Sequence, residues 1–190
     1  RIYQNDNGTW NQIGNDIDGE AVNDRSGNSI ALSSDGSVIA IGAKGNDGNG
    51  PSRYYTDYGH VRIYQNIGGV WAQIGDDIDG EEYFDNSGHS VALSDDGSIV
   101  AIGAQGNDGD ERGSGHVRIY QNIGGNWTQI GNDIDGEGEW DGSGSSVALS
   151  SDGSVVAIGA TGNDGNGDNS GHVRIYRYSG SFYNSWVQLG

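Results

Sequence analysis

The sequence predicts an all-β fold of four-stranded antiparallel blades in tandem. Three observations carry this. The chain repeats itself: residues Arg62 to Val117 and Arg118 to Val173 are two 56-residue copies of one unit, and Arg1 to Val61 is a third copy enlarged by an insertion around Pro51 to Tyr58. Each copy holds short runs of alternating apolar and polar residues separated by Gly, Asp and Asn turns. No segment shows the 3.6-residue apolar period of a helix. A fixed period of this length signals stacked supersecondary units, none able to bury its apolar face alone.

The elements can be justified in order along the third copy. Trp127-Thr128-Gln129-Ile130-Gly131 is a short alternating first strand, and Asn132-Asp133-Ile134-Asp135-Gly136-Glu137 is an acidic turn. Ser146 to Ser150 is a second strand, and Ser151-Asp152-Gly153-Ser154 is a hairpin turn, because Asp-Gly supplies the backbone conformation that such turns require. Val155 to Ala160 is a third strand, apolar on both faces as in a strand held between layers. Gly162 to Asp168 is a Gly/Asp loop, and His172 to Tyr176 is a fourth, more polar strand. Four strands repeated at this spacing describe β-propeller blades, as an arc of a larger ring or an open array. The whole chain, 1–190, reads as one repeat domain with repeats 1–61, 62–117 and 118–173 and a partial fourth, 174–190. Counting each blade from its Trp strand leaves half-blades at both ends, with Arg1 to Asn5 and Trp186 to Gly190 each supplying a lone strand. Such strand edges are expected to be covered by further protein.

The motifs resemble a known family. Ser26-Gly27, then Asp35-Gly36-Ser37-Val38-Ile39-Ala40-Ile41-Gly42-Ala43, then Asn46-Asp47-Gly48, then Gly59-His60-Val61-Arg62-Ile63-Tyr64 are similar to the FG-GAP repeat, the blade of integrin-alpha-like propellers and of many secreted microbial proteins. The resemblance recurs in all three copies. It implies extracellular adhesion or ligand binding. Two departures matter. Ser26, Ser87 and Ser143 stand where the family has Phe, and the family's calcium loop between the middle strands is shortened to Ser-Asp-Gly-Ser, so calcium binding at that hairpin does not carry over.

Composition narrows the functional classes. The net charge is −18 with 9 Lys and Arg against 27 Asp and Glu, which argues against nucleic-acid binding and favours cations or basic partners. There is no Cys, which excludes disulfides and thiolate metal sites. No apolar run approaches the roughly 20 residues that span a bilayer as a helix. The chain begins inside a repeat and without Met, so it reads as a mature or partial piece with room for an export signal upstream. An extracellular or cell-surface location is expected.

Acidic residues recur at fixed places. Asp16, Asp18 and Glu20 match Asp77, Asp79 and Glu81, and then Asp133, Asp135 and Glu137. Three carboxylates around a Gly turn suit a hard cation such as Ca²⁺; the competing reading is that Asp and Asn cap turns by accepting backbone N–H groups. His60, His116 and His172 recur at the start of the fourth strand, as strand residues bonding a nearby turn or as a ring site. Trp10, Trp71, Trp127 and Trp186 recur as Trp-x-Gln-x-Gly, as packing anchors between blades or as a sugar platform. Trp140 and the insertion tyrosines Tyr54, Tyr55 and Tyr58 break the repeat and so offer a specific contact surface.

No nucleophile motif, phosphate loop or carboxylate pair confined to one copy is visible. The expectation is therefore a non-enzymatic extracellular binding or adhesion module. Its partner would be protein, as self-association or continuation of the array, or an extracellular glycan. The alternative is a structural subunit of an extracellular filament or surface layer. A carbohydrate-active enzyme or lectin on a propeller scaffold comes third.

Overall fold

The computed structural model describes residues 1–48, 56–109, 111–180 and 182–190. Its strands run in chain order as β1 (Tyr3–Asp6), β2 (Thr9–Gln12), β3 (Ser29–Leu32), β4 (Val38–Ala43), β5 (His60–Ile67), β6 (Val70–Gln73), β7 (Ile78–Asp79) and β8 (Ser90–Leu93). They continue as β9 (Ile99–Ala104), β10 (His116–Ile123), β11 (Asn126–Gln129), β12 (Ile134–Asp135), β13 (Ser143–Leu149), β14 (Val155–Ala160), β15 (His172–Tyr178) and β16 (Trp186–Gln188). The described residues contain no helix. Three antiparallel meanders, β3-β4-β5-β6, β8-β9-β10-β11 and β13-β14-β15-β16, stand beside one another, with β7 added to β5 and β12 added to β10. Strands β1 and β2 form a separate hairpin. This is the expected array of propeller blades, and the sheets do not close into a ring.

The blade boundaries differ from the sequence reading. Each Trp strand pairs with the strand before it, so β6 closes the sheet of β5, β11 that of β10 and β16 that of β15. A sheet is therefore the second, third and fourth strands of one copy plus the first strand of the next. Trp186–Gln188 completes the third sheet instead of opening a new blade. The reason is the turn between the two strands. Ile67 pairs with Val70, which leaves a two-residue loop, Gly68-Gly69, at φ 61° and 91°. That is the left-handed pair that favours a tight hairpin matching strand twist. Gly124 and Gly125 repeat it at 63° and 92°.

The third strands are the packing centre. All six residues of β4 are buried. One apolar cluster joins the first and second sheets through Val38, Val61, Ile63, Val100, Ile102 and Tyr120, and another joins the second and third through Val117, Ile119, Val156, Ile158 and Tyr176. Each fully buried Val or Ile contributes about 1.5–3 kcal/mol. At the first-sheet end Ile39 and Ile41 are covered by Ile2, Ile17 and Trp71, but at the third-sheet end the equivalent surface is bare. Val173 and Ile175 are 67% and 42% exposed, where their counterparts Val117 and Ile119 are at 0%.

The recurring tryptophans are inter-sheet anchors. The indole Nε1 of Trp71 donates to Ile13 O at 3.0 Å, that of Trp127 to Ile74 O at 2.9 Å and that of Trp186 to Ile130 O at 2.9 Å. The Asp-Gly hairpins are capped from within: Asp35 Oδ1 accepts from Ser33 Oγ and from Ser37 N, both at 2.8 Å.

Candidate functional site

Two constellations stand out among the described residues, and both are built where one copy meets the next. The first begins with the fourth strand. In His60-Val61-Arg62, alternation puts His and Arg on one face of β5, and burial leaves both side chains under 10% exposed. Arg62 reaches back to the preceding acidic turn, where its Nη2 donates to Asp18 O at 2.7 Å and its Nη1 lies 3.4 Å from Glu20 Oε1. His60 Nδ1 lies 3.9 Å from Glu20 Oε2 and 3.5 Å from Asp77 Oδ2. The next copy repeats this: Arg118 donates to Asp79 O at 2.7 Å and lies 3.1 Å from Glu81 Oε1, and His116 Nδ1 is 3.6 Å from Asp133 Oδ2. In the last copy Arg174 donates to Asp135 O, and Glu137 sits 3.6 Å from Arg174 and 3.7 Å from His172.

The nine acids singled out in the sequence thus divide by position. Glu20 joins Asp77 and His60 with ligand atoms all within 4.8 Å of one another, and Glu81 joins Asp133 and His116 in the same way. These groups draw on two successive copies, not on the three carboxylates of one copy. Asp16 is instead bonded to Arg1 and Gln12. Asp18, Asp79 and Asp135 give their carbonyls to the arginines, and Asp79 and Asp135 pair in register with His60 and His116. Burial pushes the Asp79 carboxyl up. Burial, then the Arg118 charge, pushes His116 down to about 4, against the pull of Asp133.

Other recurring acids are turn caps. Asp85, 1% exposed, accepts from Glu81 N and Glu82 N and from Asn107 Nδ2; Asp24 and Asp141 do the same for their own turns. The Gly-Asn-Asp-Gly loops close on themselves, with Asp47 accepting from Thr56 N and Asp164 from Asn169 N. The Arg clasp was missed in the sequence. Its signal was the His-x-Arg spacing, which puts a cation beside each histidine on one strand face.

The second constellation is a cleft of about 520 Å³ spanning the second and third sheets. Tyr83 and Phe84 come from the loop before β8, Asp108 and Arg112 from the loop before β10, and Trp140 from the loop before β13. The Arg112 guanidinium lies over the Trp140 ring, 4.9 Å from its centroid. Trp140 N donates to Arg112 O at 2.8 Å, and the ring lies so close to Gly113 that a Cβ there would meet Trp140 Cε3 at 2.6 Å. Asp108 Oδ1 accepts from Gly113 N at 2.9 Å. Phe84 and Trp140 hold φ at 67° and 66°. Asn23, the counterpart in the first copy, tolerates that region at 72°, but a bulky aromatic there is strained. The two rings are nonetheless 58% and 59% exposed. Strain that presents an aromatic ring to solvent is a mark of a functional surface. The Tyr58 and Tyr83 rings meet at a tilt of 44° with centroids 4.9 Å apart; Tyr54 and Tyr55 lie outside the described residues.

Comparison with known proteins bears on the fold. No protein-family model matches the chain. No curated protein matches it. Among solved structures it is similar to one described as a 6-phosphogluconolactonase from Bacteroides uniformis, with a TM-score of 0.54 and 13% identity over 85% of this chain and 39% of that one. It is similar to the Pseudomonas aeruginosa periplasmic gluconolactonase PpgL, with 0.53 and 14% over 85% and 44%, and to Saccharomyces cerevisiae Sqt1, with 0.53 and 14% over 88% and 35%. The chain spans less than half the length of each.

Two of these neighbours bear the names of lactone-hydrolysing enzymes. That overturns the expectation of a non-enzymatic binding or adhesion module, and the filament and lectin alternatives find no support there either. The physical reason lies in the loops. Near-identical blades were read as leaving no asymmetric constellation, yet Asn23, Phe84 and Trp140 differ at one equivalent position, and the two aromatic ones line this cleft.

Proposed function

We propose that this chain belongs to a propeller hydrolase acting on a cyclic ester of a sugar acid, with the cleft between the second and third sheets as the substrate site. The observation that carries the proposal is the convergence of Arg112, Asp108 and the strained, exposed rings of Phe84 and Trp140 on one cleft. Ligand sites of this size combine apolar walls with a few placed polar groups. A lactone ring presents apolar C–H faces to an aromatic wall, and a carboxylate or phosphate on the sugar suits a guanidinium. Asp108 is the general base. It takes a proton from the attacking water as the new C–O bond forms at the carbonyl carbon, and as the ring C–O bond then breaks the protonated Asp108 returns that proton to the leaving oxygen, releasing a hydroxyl. The names of the two lactonase neighbours agree with this class. The periplasmic neighbour and the absence of Cys agree with a location outside the cytoplasm.

The test is hydrolysis of glucono-δ-lactone and its 6-phosphate by pH-stat, with the spontaneous rate subtracted. Asp108→Asn should lower kcat by about 10²-fold or more, and Trp140→Ala should raise KM. A rate no higher than the spontaneous one, with no quenching of tryptophan fluorescence by gluconate, would sink the proposal.

A further inference from the structure

We infer that the junctions between successive copies are binding sites for a divalent cation of the zinc class, one held by Glu20, His60 Nδ1 and Asp77 and one by Glu81, His116 Nδ1 and Asp133. This goes beyond the cleft and uses none of its lining residues.

The geometry comes first. Two ligand atoms each about 2.1 Å from a tetrahedral ion lie about 3.4 Å apart. The separations of His60 Nδ1 from its two carboxylates are 3.5 and 3.9 Å, and that of His116 Nδ1 from Asp133 is 3.6 Å. Those distances are too long for strong hydrogen bonds, yet they match the edges of a coordination tetrahedron. All three ligand atoms of each group lie within 4.8 Å of one another, so side-chain adjustment of under about an ångström closes the set.

The histidine is the second observation. The side chains of His60 and His116 are 2% exposed. Each aims Nδ1 at carboxylates that are 30–48% exposed at the mouth of the junction, at distances that make no strong hydrogen bond. Buried polar groups are rarely left in this state. With the proton on Nε2, the Nδ1 lone pair faces anionic oxygen: two carboxylates within 3.9 Å for His60, and Asp133 at 3.6 Å for His116. A cation between them turns that repulsion into coordination. The fourth position faces the exposed side of the carboxylates and suits water.

The donor set also selects the ion. One imidazole nitrogen with two carboxylates suits a borderline cation such as Zn²⁺, whereas Ca²⁺ takes six or more oxygens. Arg62 and Arg118 reduce the negative charge of each site by one but leave it net negative, in a chain of charge −18.

The test is isothermal titration of the metal-stripped 190-residue chain with Zn²⁺, paired with thermal melting. Two equivalents should bind and raise Tm, and EDTA should reverse the rise. Asp77→Asn and Asp133→Asn, which leave the buried rings in place, should each lower the stoichiometry to one. His60→Gln should do so too if it folds, and the visible absorption that Co²⁺ develops in the parent chain should fall to about half in either aspartate variant and vanish when both aspartates are replaced. Absence of Zn²⁺ heat and of a Tm shift would overturn the inference. So would a stoichiometry unaffected by either aspartate variant, or Ca²⁺ binding equally well at the same residues.

Discussion

The third strands carry the motif Ala-Ile-Gly-Ala in every copy, and the sequence treats Gly42, Gly103 and Gly159 as equivalent. Their surroundings say otherwise. A Cβ on Gly103 would sit 2.2 Å from Gly144 O and 2.4 Å from Ser90 Oγ, and one on Gly42 would sit 2.2 Å from Gly88 O and 2.3 Å from Ser29 Oγ. Both carbonyls belong to the neighbouring sheet, and both accept the same serine hydroxyls, Ser90 Oγ to Gly144 O and Ser29 Oγ to Gly88 O, at 2.7 Å. On Gly159 a Cβ would meet only Ser146 Oγ at 2.4 Å, with everything else at 3.7 Å or beyond. Gly103→Ala must therefore move two sheets apart by about 1 Å. Overpacking of this kind costs about 1–3 kcal/mol, and loss of the serine bond about 1 kcal/mol more. Gly159→Ala needs only a serine rotamer change, offset by about 0.4–1 kcal/mol from the stiffer unfolded chain. In urea unfolding, Gly103→Ala should cost about 2–4 kcal/mol and Gly159→Ala less than about 1. Equal losses, or a neutral Gly103→Ala, would refute the close approach of sheets at the third strand.

Trp127→Phe should lose about 1 kcal/mol by removing the bond to Ile74 O, while Trp10→Phe, at a ring 66% exposed, should change Tm little. Arg118→Met should cost about 2 kcal/mol in chemical denaturation, because Asp79 O loses its buried charged donor. In EDTA, stability should fall as pH drops from about 6.5 to about 4. His116 is held near 4 when folded and titrates at 6.5 when unfolded, so the unfolded chain binds the extra proton in that window. The loss is about 2–4 kcal/mol among Glu81, Asp133 and Arg118, and His116→Gln should flatten the profile. Asp35, drawn to about 2 chiefly by the Ser37 backbone N–H, should show an NMR titration well below 3.8, and its turn should loosen only as pH falls through that range.

The repeat, the all-β class and the buried third strands were legible because strand period, Asp-Gly turns and apolar runs are local properties, and the chain states them three times. Val38 to Ala43 is apolar on both faces in sequence and buried on both in space. The Trp anchors were also open to a sequence reading, as one of two alternatives. What the sequence left unsettled was which neighbour each strand joins. Gly68-Gly69 carried the signal for a tight hairpin, but the period is the same wherever a blade is counted from, so only the sheets fixed that Trp186 ends a blade. The candidate sites were hidden for a related reason. Glu20, His60 and Asp77 come from two copies and are distant in the chain, and Arg112 meets Trp140 across two loops of different sheets. Side chains that converge through the stacking of units leave no local pattern to read. Local physics, stated in the residues, determined the blade; the packing of one blade on the next decided the sites.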